Sequence, residues 1–343
     1  MTRIEELVLK RKAIDAEIEA EYRKEREAAA RGEAEAQFNL GIIYYKGHGV
    51  PQNFGEAFAA FKLAAEQGKT QAQFYLGIMY EQGQGTSQDY VEAAHWLELS
   101  AKEGNTDALN RLGAMLENGW GLKQDYQAAM RCYKLSAEKN DATALFSIGS
   151  MYEHHHGVEQ DDMEAIRWYK MAAEMGHEEA QYRIGCLYLI GHSVKQNYQE
   201  AKHWFELLAK KGHINSQIKL GDIYDKGLGL EQNYAEAMKW FKLAANHGDA
   251  EAQARVGFMY GNAHGVALNF SESLHWYRMA AEQDFPSALS NLGFMYDHGQ
   301  GVPADSQKAL TYYSRAAKKG DENAKRNREL IEARIAKQQS NQH

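Results

Sequence analysis

Histidines are the residues of this sequence that most readily suggest chemistry, because imidazole nitrogens are common zinc ligands. Three of them stand in a row at residues 154–156. Four histidines also share one position of a recurring loop: His48, His156, His192 and His264. Each loop supplies only one of these side chains, and helix packing would separate successive loops by about 10 Å. Because no cysteine or pair of carboxylates completes a ligand set, we expect solvated turns and no metal site.

A second candidate is the segment 177–181, His-Glu-Glu-Ala-Gln, which differs from the zinc-protease motif H-E-x-x-H at its last position. Gln181 cannot replace the second imidazole. The sequence also contains no phosphate-binding loop, no G-x-S-x-G and no C-x-x-C. Catalysis needs a set of groups in defined positions, and the serines, carboxylates and histidines keep no spacing of their own. We therefore predict no enzyme activity, no catalytic residues and no cofactor.

A glycine that follows a large apolar residue recurs every 36 residues along the chain. The eight pairs are Leu40-Gly41, Leu76-Gly77, Leu112-Gly113, Ile148-Gly149, Ile184-Gly185, Leu220-Gly221, Val256-Gly257 and Leu292-Gly293. Eight copies without an insertion indicate a repeat array, in which each repeat buries its apolar face against its neighbours. The 343 residues are therefore expected to form one array and not two or three globular domains.

Each repeat is predicted to contain two helices. In the first, helix A, the residues Ala36, Leu40, Ile43 and Tyr44 form the apolar face, and the Gly-His-Gly that begins at Gly47 ends the helix. The second, helix B, begins after a residue that is always Asn or Asp: Asn53, Asp89, Asp125, Asp161, Asn197, Asn233, Asn269 and Asp305. These are preferred N-caps, and in six repeats a glutamate three residues later resembles the partner residue of a capping box.

Helices A and B are expected to pack closely at the repeated glycine. A glycine inside a helix costs about 1 kcal/mol relative to alanine, so its recurrence needs a packing reason. Helix B alternates large side chains, such as Phe61 and Trp96, with small ones, such as Ala57 and Ala93. Small against large at fixed spacing is how closely packed helices interdigitate. We therefore predict that helix B approaches helix A at each of these glycines.

Two caps flank the array. The predicted repeats are 33–68, 69–104, 105–140, 141–176, 177–212, 213–248, 249–284 and 285–320. Residues 1–32 are predicted to form an N-terminal capping helix that starts with a capping box at Thr2 and Glu5. The apolar stripe of this helix consists of Ile4, Leu7, Ile14 and Ile18; the alternative is a coiled-coil dimerisation arm. Residues 321–343 are predicted to form a C-terminal capping helix and tail with a polar outer side.

Several repeats depart from the glycine pattern of the loops. The replacements are His155 and Ala263 at the first loop glycine, Ser193 at the second, and Asn140 and Asp284 at the glycine that closes helix B. Phe285 and Pro286 follow Asp284 directly. We therefore expect the turn at 284–286 to bend differently and to be a flexible point.

The overall composition restricts the classes of function. The chain is 44% apolar and 25% charged, which is ordinary for a soluble protein. Its net charge of −8 argues against general nucleic-acid binding, which needs a basic surface. No segment has the roughly 18 apolar residues of a membrane span, and the N-terminus lacks the apolar core of a signal peptide. Cys132 and Cys186 occupy different positions in their repeats, so we expect no disulfide and a cytoplasmic location.

The repeat resembles that of the Sel1-like repeat family, which is related to the tetratricopeptide repeats. The shared pattern is A-x-x-x-L-G-x-x-Y, then G-x-G-V, then N/D-x-x-x-A-x-x-W-Y/F-x-x-A-A-x-x-G, and 36–68 and 71–104 match it almost without gaps. The resemblance covers 33–320. It implies an all-α fold, a right-handed α/α superhelical solenoid of eight 36-residue helix-turn-helix repeats with helical caps, whose helices A line a concave face. Family members mostly act as adaptors in protein complexes, and some neutralise secreted bacterial toxins.

Two positions of helix A, those of Asn39 and Ile42, are expected to face outward, because helical spacing places them away from the apolar face. They vary between repeats while their neighbours keep the pattern. The candidate partner-binding residues of the groove are therefore Asn39, Ile42, Tyr75, Ile78, Arg111, Arg183, Lys219, Asp222, Arg255, Phe258, Asn291 and Phe294. Arginine and aromatic residues are typical of interface hot spots. Four of these residues form a basic strip: Arg111, Arg183, Lys219 and Arg255.

The sequence therefore predicts a non-enzymatic scaffold or adaptor that binds a protein or peptide with an acidic or mixed acidic and apolar surface. An alternative is that the basic strip only forms ion pairs with the acidic position after Tyr44, which holds Glu81, Glu117, Glu153, Asp225 and Asp297. Trp120, in a loop between two glycines, is either a second contact or a packed loop cap. The alternative functions are an intracellular neutralising (immunity) partner of a bacterial toxin, and a hydrolase of cell-wall fragments or β-lactams.

Overall fold

The computed structural model describes residues 19–191 and 194–340, in which all regular secondary structure is helical. The helices are α1 (19–30), α2 (Ala34–Lys46), α3 (Phe54–Glu66), α4 (Thr70–Gln82), α5 (Tyr90–Lys102), α6 (Thr106–Asn118), α7 (Tyr126–Ala137), α8 (Ala142–Glu153), α9 (Asp162–Glu174), α10 (Glu178–Ile190), α11 (Tyr198–Ala209), α12 (Ile214–Lys226), α13 (Tyr234–Asn246), α14 (Ala250–Gly261), α15 (Phe270–Glu282), α16 (Pro286–His298), α17 (Ser306–Lys318) and α18 (Glu322–Ser340). From α2 to α17 they alternate as helix A and helix B of repeats 1 to 8. The predicted all-α repeat fold is confirmed.

The chain divides into two compact units, unit 1 up to His177 and unit 2 from Glu178. Within each unit, a helix B packs on helix A of its own repeat and on helix A of the next repeat. The buried side chains therefore form several small clusters, which follow one another along each unit. Phe61, Leu76 and Met79 share one cluster of unit 1, and each of these side chains is fully buried. No helix in the described ranges is both long and apolar enough to span a membrane.

The start of every helix B follows the sequence prediction. All eight Asn or Asp side chains accept a hydrogen bond from a backbone N–H two or three residues later. The predicted capping box, however, is wrong in its second half. The backbone N–H of Asn53 donates to the carbonyl of Tyr44 at 3.0 Å, and the same bond to helix A recurs in the other seven repeats. Because this bond already satisfies the N–H group, the glutamate side chain is not needed as its acceptor.

The close approach of helix B to helix A is confirmed. A Cβ atom added to Gly221 would lie 2.5 Å from Cε1 of Phe241, which is shorter than any non-bonded carbon contact allows. At the other seven glycines of the series the nearest helix B side-chain atom would be 2.5–2.9 Å away. The glycines therefore recur because helix B occupies the space that a side chain would need.

The residues that replace loop glycines keep the glycine backbone conformation. Asn140, His155, Ala263 and Asp284 all have positive φ, between 57° and 62°, whereas Ser193 lies outside the described residues. The N–H groups of Asp284 and Phe285 bond to carbonyls of α15 at 3.1 Å, in the pattern that closes the other repeats. The prediction of a different bend at 284–286 is therefore wrong. Aspartate tolerates the left-handed conformation better than most residues, and Arg315 also binds Asp284 at 2.8 Å.

Ala263 is the least suitable of these replacements, because alanine has no polar side chain to compensate for a left-handed conformation, which costs about 1–2 kcal/mol. Glycine avoids this cost but gives up about 0.5–1 kcal/mol of chain entropy. We expect Ala263→Gly to raise the free energy of unfolding by up to about 1 kcal/mol in chemical denaturation. The control is Ala267→Gly in the same loop, where φ is not positive, and this variant should be destabilised. Equal effects of the two substitutions would contradict the conclusion that the left-handed backbone of Ala263 costs stability.

The two ends of the array are covered by helices. On α1, the Tyr22 hydroxyl lies 2.9 Å from the hydroxyl of Tyr44, and Glu25 accepts a hydrogen bond from Asn39. The predicted capping box at Thr2 and Glu5 and the apolar stripe lie outside the described residues. On α18, Ala324 and Ile331 are buried against the last repeat, and the opposite side is exposed. The terminal helices thus bury apolar surface that the outermost repeats would otherwise expose.

Candidate functional site

The apolar candidate residues of unit 1 belong to its core. Ile78 is only 7% exposed, and the Tyr75 ring stacks on Phe61 with centroids 5.0 Å apart. Ile42 packs half-buried against the same cluster. The expected outward orientation is therefore wrong for Ile78, and Tyr75 turns toward the preceding helix B. Burying such side chains gains roughly 1.5–3 kcal/mol each, which favours these inward orientations.

The polar candidates of unit 1 are held by acidic neighbours. Asn39 binds Glu25 at 3.3 Å, and Arg111 binds Glu81 of the preceding repeat at 3.2 Å. The alternative of ion pairing between neighbouring repeats is therefore confirmed at Arg111. Trp120 packs its ring over Tyr90, with centroids 6.2 Å apart, and yet stays 43% exposed. Unit 1 thus presents no continuous basic or apolar surface along these positions.

The acidic position after Tyr44 has a bonding role of its own. Glu117 accepts a hydrogen bond from the Tyr133 hydroxyl at 2.9 Å and lies 2.7 Å from Nδ1 of His156. Burial, and then this carboxylate, raise the pKa of Tyr133. His156 also stacks on Tyr126 with ring centroids 5.0 Å apart. The prediction of a solvated turn is therefore wrong for His156, because its imidazole joins two successive repeats.

The other histidines that the structure describes show no arrangement suited to a metal. His264 stacks on Tyr234 with centroids 4.3 Å apart, whereas His48 and His154 are exposed and His192 falls in the gap of the description. In residues 19–191 and 194–340, no three His, Cys, Asp or Glu side chains are grouped as metal ligands. His177 stacks on Phe146, with centroids 4.7 Å apart. The loop histidines His156 and His264 therefore pack against tyrosine rings of the preceding repeat.

At the helix A position where Ile78 is buried in unit 1, unit 2 carries exposed apolar side chains. Phe258 on α14 is 44% exposed and Phe294 on α16 is 41% exposed. Each ring contacts a histidine, His264 and His298 respectively. These contacts cover only part of each ring. Two exposed phenylalanines at the same position of successive helices A therefore form an apolar patch.

The charged candidates of unit 2 differ in how far they are neutralised. Arg255 lies 3.5 Å from Asp222 and 3.6 Å from Glu251, and Arg183 lies 3.4 Å from Glu179. Lys219 forms no ion pair with any residue that the structure describes. Asp222 is largely buried beneath Arg255, so it was wrongly expected to face outward. Lys219 is thus the basic candidate whose charge is most available to a partner.

Two adjacent cavities open on this face of unit 2. One, of about 320 Å³, is lined by Arg255, Phe258 and Asn291 among others. The second, of about 360 Å³, shares Phe258 and Asn291 and is also lined by Phe294, Tyr277 and Gln300. Reasoning from the sequence missed Tyr277 and Gln300, because helix B and loop positions were assigned only to packing. The sequence signal that could have indicated them is Gly261, which stands where repeat 3 has the acidic residue Glu117.

Comparison with known proteins agrees with this architecture. The family model of the Sel1 repeat matches 34–69, 70–105, 106–141, 142–177, 178–213, 214–249, 250–285 and 286–321. A protective antigen of uropathogenic Escherichia coli strains, described as displaying an SLR fold, is 32% identical, with 92% of this chain and 68% of that chain covered and a TM-score of 0.79. A Sel1 repeat protein from Oxalobacter formigenes is 28% identical, with 91% of each chain covered and a TM-score of 0.74.

More distant comparisons add nothing on function. An immunity protein from Pseudomonas aeruginosa is 17% identical, with 64% of this chain and 84% of that chain covered. Its TM-score is 0.39, so the likeness carries no functional argument. The comparison with curated proteins gives no match.

Proposed function

This chain belongs to the Sel1 repeat family, whose members generally mediate protein–protein interactions, and on that premise we propose that it is a non-enzymatic scaffold for a protein or peptide partner. The single observation that carries the proposal is the exposure of Phe258 and Phe294 beside two cavities on unit 2. Exposed apolar patches with polar surroundings commonly mark interaction surfaces. Aromatic side chains at such places contribute more binding energy than most residues.

The basic side chains of α12 and α14 favour a partner with acidic as well as apolar groups. Lys219 offers a cation without a carboxylate partner among the described residues. Arg255 is 38% exposed, although it is shared between Asp222 and Glu251. Opposite charge on a partner would accelerate association and orient it on the patch. The partner surface proposed here is therefore mixed, apolar opposite the phenylalanines and acidic opposite Lys219.

The test is to identify a stoichiometric partner by affinity purification from the native cell and to measure its affinity for variants. Phe258→Ala/Phe294→Ala should weaken binding by at least about 30-fold, since a hot-spot residue contributes about 2 kcal/mol or more. The matched control is Leu243→Ala, which truncates a side chain that is 43% exposed on α13, a helix B. A partner that binds the double variant and the native chain with equal affinity would refute the proposal.

Charge reversal gives a second readout on the same partner. Lys219→Glu should slow association and weaken its dependence on salt, because it removes attraction to acidic groups. Lys210→Glu makes the same change at an exposed residue that follows α11, a helix B, and should leave both quantities unchanged. Lys219 is preferred to Arg255 for this purpose, because a glutamate at 255 would face the carboxylate of Asp222.

The proposal includes a cytoplasmic location, supported by the observation that Cys132 and Cys186 are not joined by a disulfide. It assigns no catalytic residue. Turnover of a cell-wall fragment or a β-lactam by the purified protein, lost on substitution of a single His or Glu, would replace it with the hydrolase alternative. The immunity alternative is the same scaffold with a toxin as its partner, and the affinity purification identifies that case directly.

A further inference from the structure

An acidic residue at the end of helix A accompanies a tyrosine on helix B in several repeats. Four repeats carry tyrosine at the second large position of helix B: Tyr133, Tyr169, Tyr277 and Tyr313. Tyr133 donates to Glu117, 16 residues earlier, at 2.9 Å, and Tyr169 donates to Glu153 at the same spacing and 2.6 Å. At the corresponding pair of repeat 8, burial and then the nearby Asp297 raise the pKa of Tyr313 to about 12. The tyrosine hydroxyl is therefore regularly placed next to a carboxylate.

Repeat 7 keeps the tyrosine and lacks the acid. Gly261 stands 16 residues before Tyr277, at the position that Glu117 holds in repeat 3. Tyr277 is only 4% exposed, and its hydroxyl forms no hydrogen bond with residues in the described ranges. Burial raises its pKa, so the hydroxyl keeps its proton at neutral pH. The Tyr277 side chain lines the open cavity of about 360 Å³, so an acceptor that enters the cavity can take the hydrogen bond of its hydroxyl.

The side-chain amide of Gln300 is a second hydrogen-bond donor in the same cavity as Tyr277. In repeat 3, Glu117 is bound by His156, 39 residues later. The residue 39 positions after Gly261 is Gln300, which lines the cavity of about 360 Å³ together with Tyr277 and Gly261. The Gln300 side-chain amide makes no hydrogen bond within the part of the chain that is described. Tyr277 and Gln300 thus occupy the positions of the two side chains that bind Glu117 in repeat 3, and here they line a cavity.

We propose that this cavity is a carboxylate-binding socket, defined by Gly261, Tyr277 and Gln300, which receives an aspartate or glutamate side chain of the protein partner. The inference deepens the proposed function, on which it rests, because it names the partner group that enters unit 2. The hydroxyl of Tyr277 and the amide of Gln300 donate to the carboxylate oxygens, as hydrogen-bond donors to an ionised acceptor do. The partner's side chain would supply the group that position 261 lacks.

The surroundings of the socket favour a peptide over a free acid. Phe258 and Phe294 flank its opening and are each more than 40% exposed. A small carboxylic acid would leave both rings in water, whereas a peptide segment would cover them with neighbouring side chains. Arg255 lines the adjacent cavity, where Glu251 offsets its charge. The occupant is therefore an acidic residue with apolar neighbours.

The test uses three defined probes on the full chain: the peptide acetyl-Leu-Glu-Leu-amide, its Gln counterpart, and glutarate as a free acid. Binding is followed by NMR of ¹³C-labelled tyrosine, with the Tyr277 signal assigned from Tyr277→Phe. The Glu peptide should bind about tenfold more tightly than the Gln peptide, the size expected for a hydrogen bond to a charged group. It should also shift the Tyr277 signal. Tyr277→Phe should remove this selectivity.

Restoring the acid at position 261 provides the second arm. Gly261→Glu/Ser273→Ala places a carboxylate beside Tyr277, and the alanine removes Ser273 Oγ, which would lie 3.0 Å from the new Cβ. This variant should fill the socket and abolish binding of the Glu peptide. The control Tyr313→Phe alters a tyrosine that already has Asp297 beside it and should leave the peptide affinity unchanged.

Four results would overturn the socket. They are equal affinities of the Glu and Gln peptides, no binding of either at about 10 mM, selectivity that persists in Gly261→Glu/Ser273→Ala, and glutarate binding more tightly than the Glu peptide. None of these results depends on the native partner. A partner that is weakened by Phe258→Ala/Phe294→Ala but not by Tyr277→Phe would leave the scaffold in place and remove the socket alone.

Discussion

Gly221→Ala is expected to lower the free energy of unfolding by about 1–3 kcal/mol, the usual range for overpacking a core. The result runs against helix propensity, by which alanine exceeds glycine by about 1 kcal/mol. The added Cβ would lie 2.5 Å from Cε1 and 2.6 Å from Cδ1 of Phe241. That ring is 1% exposed and enclosed by the core of unit 2, so it cannot move aside without disturbing the next repeat. Urea denaturation of the two proteins measures the difference.

The same substitution should change sign when the ring is removed. Phe241→Ala alone is expected to cost about 3–5 kcal/mol. In that background, Gly221→Ala should stabilise by up to about 1 kcal/mol, because only the helix propensity remains. Gly55→Ala is the control, since a Cβ in α3 would meet only Asn53 Oδ1 at 3.4 Å. If Gly221→Ala were equally destabilising with and without Phe241, the packing explanation of the repeated glycine would be wrong.

Gly121→Ala is expected to destabilise unit 1 by about 1–4 kcal/mol, the sum of the net cost of a left-handed alanine and the cost of a steric overlap. Gly121 has φ +67°, and its Cβ would lie 2.2 Å from the carbonyl oxygen of Tyr90. That atom is backbone at the start of α5, in the preceding repeat, and a side-chain rotation cannot relieve the contact. The loop of one repeat therefore packs directly on the helix of another.

Gly119→Ala in the same loop separates the two effects. Gly119 also has a left-handed φ of +74°, but its nearest neighbour would be 3.5 Å away. Gly119→Ala should lower the free energy of unfolding by up to about 1 kcal/mol, the cost of a left-handed alanine less the chain entropy that glycine gives up. The difference between the two midpoints of thermal unfolding measures the contact between repeats. Losses of the same size in both variants would show that the contact with Tyr90 contributes nothing.

The candidate site shows where reasoning from the sequence stops. Ile78 and Phe258 hold the same position of helix A, and both are large and apolar, yet one is 7% and the other 44% exposed. In repeat 2 this position packs inward, whereas in repeat 7 it flanks an open cavity. Helical spacing places a residue on a face of its own helix, but it does not say what the neighbouring helix brings to that face. Arg111 likewise falls on the predicted face and is bound there by Glu81.

The sequence by itself determined the repeat, the two helices of each copy, the eight N-caps and the close approach at glycines such as Gly221. These features follow from spacing within 36 residues, where local hydrogen bonding and side-chain periodicity decide the structure. Only the tertiary structure decided which outward positions are exposed and that Tyr277 and Gln300 line one cavity without an acid between them. The cavity depends on Tyr277 and Gln300, which lie 16 and 39 residues after Gly261 in the sequence. The packing of one repeat on the next brings these side chains together.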